Sequence, residues 1–159
     1  AIRLRAELAE YTVHDVLHGA YTGAVDDFVL RRNDGVTAYN LAVVVDDAEQ
    51  GIDQVVRGDD LLPSTPRQAY LASLLNIPVP EYAHVPLVVN SDGARLAKRD
   101  GAVTLSDLGA RGVSAAEVRN ILLASLGLPP GTLEAALDAF SPAALPREPW
   151  FWKEAVNIH

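Results

Sequence analysis

Cysteine is absent from the 159-residue sequence, which excludes disulfide bonds and zinc sites with cysteine ligands within it. Lysine is scarce and occurs twice, at Lys98 and Lys153. No apolar run approaches the roughly 20 residues that a membrane-spanning helix needs, and no stretch has the pattern of a signal peptide. We therefore expect a cytoplasmic protein without membrane association.

The charge balance is acidic, with a formal net charge of -8 at pH 7. Because a phosphate backbone attracts a basic surface, this balance argues against indiscriminate nucleic-acid binding. A bound phosphate group, however, interacts mainly with charges within about 10 Å of it. A local anion site is therefore compatible with an acidic chain.

One short loop concentrates positive charge. The stretch NSDGARLAKRDG, residues 90–101, places Arg95, Lys98 and Arg99 within five residues and between glycines. Lysine offers a compact charge and arginine a planar fork of donors, and both suit a polyphosphate. The same composition also fits a solvated turn with ordinary surface charges.

Apolar periodicity and turn signals predict strands that alternate with helices. The predicted strands are 13–17, 28–30, 52–58 and 84–90, and the predicted helices begin near Thr65, Thr104, Ser114 and Thr132. The segment YNLAVVVDDAEQG, residues 39–51, fits a strand by its three valines and a short helix equally well. The alternation indicates an α/β fold with a parallel sheet, followed by a small helical region.

The helix near residue 65 has the clearest start signal in the sequence. Thr65 is predicted to be its N-cap, Pro66 suits the first helical position, and Gln68 would complete a capping box. The strand before this helix ends at Arg57, and the strand after it runs into the cationic loop. Ligands of such sheets bind at the carboxyl ends of strands, so we expect both ends to face one crevice.

The order of these segments resembles the second half of the catalytic domain of glutamyl-tRNA synthetases, which are class I aminoacyl-tRNA synthetases. The segments that carry the resemblance are YNLAVVVDDAEQGIDQVVRGDDLLPSTPRQAYLASLL and PEYAHVPLVVNSDGARLAKRDG. The resemblance runs from about residue 28 to 101, and more loosely to 127. It implies a Rossmann-type fold in which the cationic loop corresponds to the KMSKS signature, which binds the phosphates of ATP.

The resemblance implies roles for two residues outside the loop. Tyr39 matches a tyrosine that contacts the glutamate substrate, and Arg57 matches an arginine that pairs with a glutamate carboxylate. The alternative for Tyr39 is a core tyrosine, and the motif context favours the contact with glutamate. The alternative for Arg57 is a strand-end salt bridge to Asp59 or Asp60, and the motif context again favours the ligand.

Within the loop, the resemblance implies that Arg95, Leu96, Ala97, Lys98 and Arg99 bind ATP. Lys98 matches the second lysine of the signature and is the candidate catalytic residue. Arg95 replaces the first lysine and keeps its charge. Ala97 replaces the usual serine and loses a hydroxyl donor.

Two features resemble the paralogous branch of glutamyl-queuosine tRNA(Asp) synthetases. Val43 stands where glutamyl-tRNA synthetases usually have asparagine, and the sequence stops about sixty residues after the signature, where those enzymes continue into anticodon-binding domains. The resemblance implies a ligase-type enzyme, expected to be a monomer, that activates glutamate with ATP. It then transfers the glutamate to the queuosine base of tRNA(Asp).

Two alternatives stay open. The first is a fragment of a canonical glutamyl-tRNA synthetase. The second, which Ala97 supports, is a non-catalytic glutamate- or tRNA-binding module descended from a synthetase. The HIGH signature of the first half of the fold is not in this sequence. We therefore expect the chain to hold half an active site and to be inactive by itself.

Three regions are predicted. Residues 1–35 would end the acceptor-binding insertion, 36–102 would form the second half of the Rossmann-type domain, and 103–159 would be helical. ATP is expected to bring its own Mg²⁺. We expect no protein-bound metal, because the histidines lack ligand spacing and the three Asp pairs suit turns and helix caps.

Overall fold

The structure is a computed structural model that describes residues 1–96 and 104–152. Its strands are β1 (Ile2–Arg3), β2 (Glu10–Asp15), β3 (Gly19–Ala24), β4 (Val29–Arg31), β5 (Gln54–Gly58), β6 (Glu81–Val85), β7 (Val88–Val89) and β8 (Trp150–Phe151). Its α-helices are α1 (Tyr39–Glu49), α2 (Thr65–Leu74), α3 (Leu105–Ala110), α4 (Ala115–Ser125) and α5 (Leu133–Ala139). The chain divides into two compact units between Val85 and Pro86. No helix in the described ranges is long and apolar enough to cross a membrane.

A four-stranded sheet organises the first unit, in the order β3-β2-β6-β5. Strands β5 and β6 run parallel over their whole length, and β2 joins β6 in parallel where Asp15 lies opposite Tyr82. Strand β3 pairs with β2 in the antiparallel direction. The predicted α/β architecture with parallel strands is confirmed.

The segment with two interpretations forms helix α1. Its buried residue Val44 packs with Phe28, Leu71 and Ala72 in an apolar cluster. Helix α1 lies against α2, and this packing outweighs the preference of consecutive valines for a strand.

A strand forms close to the predicted residues 28–30, as β4 at Val29–Arg31, whereas strand β3 was not predicted. The partner of β2 is β3, and β4 pairs with β1 in a separate two-stranded sheet. Strand β3 reads GAYTGA and offers little apolar signal. Its Gly23 is required for packing, because a Cβ there would lie 2.9 Å from Cγ of Pro66.

The predicted cap of α2 was wrong. Thr65 is the first helical residue, is fully buried, and its hydroxyl contacts Arg57 and His84. Gln68 donates a hydrogen bond from Nε2 to Oδ1 of Asn40 at 2.9 Å. The side chains that resembled a capping box thus form tertiary hydrogen bonds between elements.

The second unit contains the predicted helical region, and its two capping boxes are present. Thr104 caps α3 with Asp107, and Ser114 caps α4 with Glu117. The buried residues of this unit's main cluster are Leu108, Val113 and Val118. Helices α3 and α4 are short, and short helices are only marginally stable by themselves. Their caps and this small core stabilise them.

Ser114→Ala is expected to lower the free energy of unfolding by about 1 kcal/mol, because the amide of Glu117 loses its side-chain acceptor. Urea unfolding measures the change. Ser125→Ala is the matched control, since that hydroxyl bonds back to the Leu122 carbonyl within the helix and caps nothing. Equal losses in the two variants would contradict a capping role for Ser114.

Candidate functional site

The carboxyl ends of two neighbouring parallel strands carry Arg57 and His84. These residues lie directly opposite each other in the register of β5 and β6. His84 is fully buried, whereas Arg57 is half-buried. This edge of a parallel sheet is where ligands of α/β proteins bind.

The Arg57 guanidinium is held by uncharged groups. Its Nε donates to Nε2 of His84 at 2.9 Å, and its Nη2 donates to Oγ1 of Thr65 at 2.8 Å. Its central carbon lies 5.5 Å from the ring centroid of Tyr82. Burial raises the pKa of Tyr82 to about 12, which keeps that ring neutral.

The alternative of a strand-end salt bridge is not found. Among the residues that the structure describes, the salt bridges between charged groups are Arg32–Asp34 and Arg67–Asp26, and the close pair His84–Asp15 would become one only with a protonated ring. None of them includes Arg57. The positive charge of Arg57 is therefore oriented by neutral partners and has no salt-bridge partner within those ranges, which suits an anionic ligand.

Asp15 anchors the buried side of this cluster. Its Oδ2 lies 2.7 Å from Nδ1 of His84 and accepts from the His84 amide at 3.1 Å. Its Oδ1 accepts from the amides of Leu17 and His18, both at 2.9 Å. Burial alone would raise the pKa of Asp15, but the hydrogen bonds from His84, His18 and Leu17 outweigh it. The pKa of Asp15 therefore lies below its usual value.

His84 is consequently a neutral ring with a defined tautomer. Burial lowers its pKa; the hydrogen bond to Asp15 opposes this shift, and the charge of Arg57 adds to it. Because Nδ1 faces a carboxylate, Nδ1 carries the proton and Nε2 presents a lone pair. That lone pair accepts the Arg57 hydrogen bond, with the Thr65 hydroxyl 3.1 Å away.

Acidification is expected to destabilise the protein through this cluster. The folded pKa of His84 is below the ordinary value of 6.5, so the unfolded state takes up the proton first. The stabilising contribution is complete above about pH 6.5 and is lost as the pH falls below that value. Asp15, whose folded pKa is below 3.8, adds a further loss at still lower pH.

Urea unfolding between about pH 7.5 and pH 5 measures this loss. His84→Gln cannot titrate and should flatten the dependence of unfolding free energy on pH in that range. His14→Gln removes an exposed histidine of β2 and is the control that should retain it. A pH dependence that survives His84→Gln unchanged would contradict the assignment.

Tyr39 stands at the start of α1. Its side chain is 60% exposed, so the alternative of a core tyrosine was wrong. The neighbouring Asn40 accepts the hydrogen bond from Gln68 that fixes the first turn of α1 against α2. The accessible ring thus sits on an anchored helix terminus in the same unit as Arg57.

A small cavity of about 20 Å³ borders Arg57. Asp47, Gln68 and Tyr82 contribute polar groups to it, and valine, isoleucine, alanine and proline side chains form the rest of its wall. It has room for about one water molecule. An amino acid does not fit, so this cavity is not the substrate site.

The cationic loop of residues 90–101 begins with a tight turn. The side chain of Asn90 accepts hydrogen bonds from the amides of Asp92 and Ala94. The backbone of Arg95 pairs with that of Val89 in an isolated antiparallel β-bridge. Of the predicted ATP-binding residues, Arg95 and Leu96 lie in the described part of the chain, and Ala97, Lys98 and Arg99 lie outside it. The predicted crevice shared by Arg57 and Lys98 therefore stays a prediction.

Sequence reasoning missed Asp15, Thr65 and His84. A signal for His84 was present, because a histidine inside the strand sequence EYAHV meets Arg57 once the two parallel strands are aligned. No local pattern pointed to Asp15, which reaches His84 across 69 residues of sequence. Within residues 1–96 and 104–152, no group of three or more side chains is placed to hold a metal ion.

Comparison with known proteins gives a family match for residues 1–140, to the family described as "tRNA synthetases class I (E and Q), catalytic domain". The Glutamyl-Q tRNA(Asp) synthetase of Nocardia farcinica is 67% identical over 150 residues, which cover 94% of this chain and 48% of the relative. The enzyme of the same name from Cutibacterium acnes is 44% identical over 171 residues, covering 98% and 49%. The chain spans about half the length of the curated relatives it matches.

Among solved structures, the chain is similar to a glutamate tRNA ligase from Elizabethkingia meningosepticum, crystallised in complex with its amino acid. The TM-score is 0.80 at 22% sequence identity, over 96% of this chain and 36% of that one. At this level of identity, the likeness shows a common fold.

Proposed function

Because the chain belongs to the family of class I tRNA synthetases for glutamate and glutamine, we propose that it forms part of a glutamate-activating enzyme. This enzyme uses ATP to activate glutamate and transfers it to the queuosine base of tRNA(Asp). The family match and the fold likeness confirm the predicted class I catalytic fold. The names of the two bacterial relatives support the queuosine branch over the canonical one.

The geometry of Arg57 carries the proposal. A guanidinium at the carboxyl end of a parallel strand is oriented by His84 and Thr65, which are both neutral. Glutamate offers two carboxylates, and arginine binds such a group through two parallel hydrogen bonds. We assign Arg57 to a substrate carboxylate and the exposed ring of Tyr39 to an additional contact with the amino acid.

The loop residues act on the nucleotide in this proposal. The carboxylate of glutamate attacks the α-phosphate of ATP, which gives glutamyl-adenylate and releases pyrophosphate. Negative charge builds on the phosphate oxygens in the transition state, and Lys98 and Arg95 stabilise it. Mg²⁺ arrives with ATP, and the reaction takes place in the cytoplasm on a monomeric enzyme.

Two assays on the full-length protein test this function. Exchange of pyrophosphate into ATP is expected to require glutamate. Labelled glutamate is then expected to be transferred to tRNA(Asp) that carries queuosine. It should not be transferred to the same tRNA without queuosine or to tRNA(Glu). Charging of tRNA(Glu) would instead indicate a canonical glutamyl-tRNA synthetase, and absence of any exchange would indicate a non-catalytic binding module.

The 159-residue chain by itself is expected to support no pyrophosphate exchange, since the HIGH signature is not in its sequence. The same assay, run beside the full-length protein at equal concentration, measures this. Exchange by the isolated chain at the full-length rate would overturn the assignment of half an active site.

A further inference from the structure

Three elements converge on the inner side of Arg57. Asp15 ends β2, His84 lies near the end of β6, and Thr65 begins α2. All three are buried, and they connect through His84: Asp15 bonds to Nδ1 of the ring, and the Thr65 hydroxyl lies 3.1 Å from Nε2. The three side chains therefore form a fixed support for the half-buried guanidinium of Arg57.

Two hydrogen bonds fix a guanidinium because it is a rigid planar fork. Nε of Arg57 is bound to His84 and Nη2 is bound to Thr65, at 2.9 and 2.8 Å. Together they set the plane of the group and its rotation about the side-chain axis. The loss of either bond would let the fork turn away from the orientation in which it meets a planar carboxylate.

We propose that His84, fixed by Asp15, is a positioning residue for Arg57, and that glutamate binding requires the neutral His84 ring as the acceptor of the Arg57 Nε–H bond. The inference rests on the proposed function, because it takes glutamate as the ligand of Arg57. It adds two residues, His84 and Asp15, to the glutamate site, and neither of them touches the substrate.

Protonation of His84 would disrupt this arrangement in two ways. Nε2 would become a donor and could no longer accept from Arg57, and two positive charges would face each other at hydrogen-bond distance. The charged and titratable groups around the ring are Asp15, Arg57, His18 and Tyr82. Asp15 stays ionised and Tyr82 stays neutral at moderately acidic pH, because their pKa values are respectively lowered and raised.

A pair of amide variants separates positioning from general support of the fold. His84→Gln places an amide near the position of Nε2 and can still accept from Arg57, whereas His84→Asn reaches only the position of Nδ1 and leaves Arg57 without its acceptor. In the full-length protein, His84→Asn is expected to raise the Michaelis constant for glutamate about tenfold, with kcat much less affected. His84→Gln keeps the acceptor but loses the bond to Asp15, so its Michaelis constant for glutamate at neutral pH should lie closer to the wild-type value than that of His84→Asn does.

The pH dependence of glutamate affinity distinguishes a positioning role of His84 from a merely structural one. For the wild type, glutamate affinity is expected to fall as the pH falls through the pKa of His84 in the folded protein, which lies below the ordinary value of 6.5. His84→Gln should remove this fall, and His14→Gln should retain it. A fall that persists in His84→Gln would overturn the proposal, as would equal Michaelis constants for the Asn and Gln variants.

Nitrogen NMR on the full-length protein tests the positioning without relying on activity. The His84 signals should report a proton on Nδ1, and the Arg57 Nε–H signal should be protected from exchange in the wild type and in His84→Gln. Protection should be lost in His84→Asn and in the wild type after acidification through the His84 titration. If neither His84→Asn nor acidification changed the protection of the Arg57 signal, the positioning role would be overturned, even if glutamate activation is found.

The two lines of measurement also separate this inference from the proposed function. If glutamate supports no exchange and Arg57 still responds to His84 by NMR, the function fails and the positioning of Arg57 stands. If exchange is found and Arg57 does not respond, the function stands and the positioning role fails.

Discussion

Arg57→Ala in the full-length protein is expected to raise the Michaelis constant for glutamate by about 100-fold or more, because a desolvated carboxylate would lose its charge partner. Pyrophosphate exchange at varied glutamate concentration measures the change. The constant for ATP should change far less, since Arg57 is assigned to the amino acid and not to the nucleotide.

Two further variants sharpen this expectation. Arg57→Lys keeps the charge but lacks the planar fork that bonds to both His84 and Thr65, so it should recover a small part of the lost affinity. Arg32→Ala is the control, because Arg32 is an exposed arginine paired with Asp34 in a turn. A wild-type glutamate constant in Arg57→Ala would contradict the assignment.

Structural support must be separated from binding in these variants. Removing Arg57 leaves Nε2 of His84 within reach of the Thr65 hydroxyl, 3.1 Å away, so the buried ring keeps one partner. We therefore expect a modest change in melting temperature beside a large change in glutamate affinity. A large loss of stability with little change in affinity would instead mark Arg57 as a structural residue.

Local sequence patterns predicted the parts of the fold that depend on neighbours in sequence. The capping boxes at Thr104 and Ser114 are present because their bonds span three residues. The strand that carries Arg57 also lies within the range that the sequence indicated. These features need no information about distant segments, which explains why they could be predicted from the sequence alone.

Tertiary contacts decided the elements that were predicted wrongly or left open. The valine run of residues 43–45 forms a helix because Val44 packs on α2. Thr65 does not cap its helix, because its hydroxyl contacts Arg57 and His84. Helix and strand propensities are weak compared with such packing. The periodic pattern could not foresee either outcome, since the deciding partners are far away in sequence.

The candidate site likewise contains residues that the sequence suggested and residues that only the tertiary structure brings together. The resemblance to a known family pointed to Tyr39 and Arg57, and the structure places both at element ends in one unit. The support beneath Arg57 could not be read from the sequence, because Asp15 and His84 meet through the parallel pairing of β2 with β6. The contacts that orient Arg57 thus depend on strand pairing, whereas the proposed contacts with the substrate were suggested by a motif.

Lys98→Ala is expected to act on rate rather than on affinity for the amino acid. If the Lys98 ammonium stabilises charge that develops on the phosphates in the transition state, its removal should lower kcat for pyrophosphate exchange by about 100- to 1,000-fold. The Michaelis constant for glutamate should change little, since no interaction with the amino acid is lost. Steady-state exchange kinetics with varied glutamate and varied ATP separate the two quantities.

The sequence offers a matched control, because Lys153 is its one other lysine. Lys153→Ala removes the same side chain from outside the cationic loop and should leave kcat unchanged. Lys98→Arg keeps the charge and should retain more activity than Lys98→Ala, although a planar fork follows a moving phosphate less well than a compact ammonium. If Lys98→Ala left kcat intact, or raised the glutamate constant as strongly as Arg57→Ala does, the division of labour between loop and strand end would be wrong. The opposite signatures of the two substitutions are therefore the sharpest kinetic test that the loop and the end of β5 serve different substrates of one reaction.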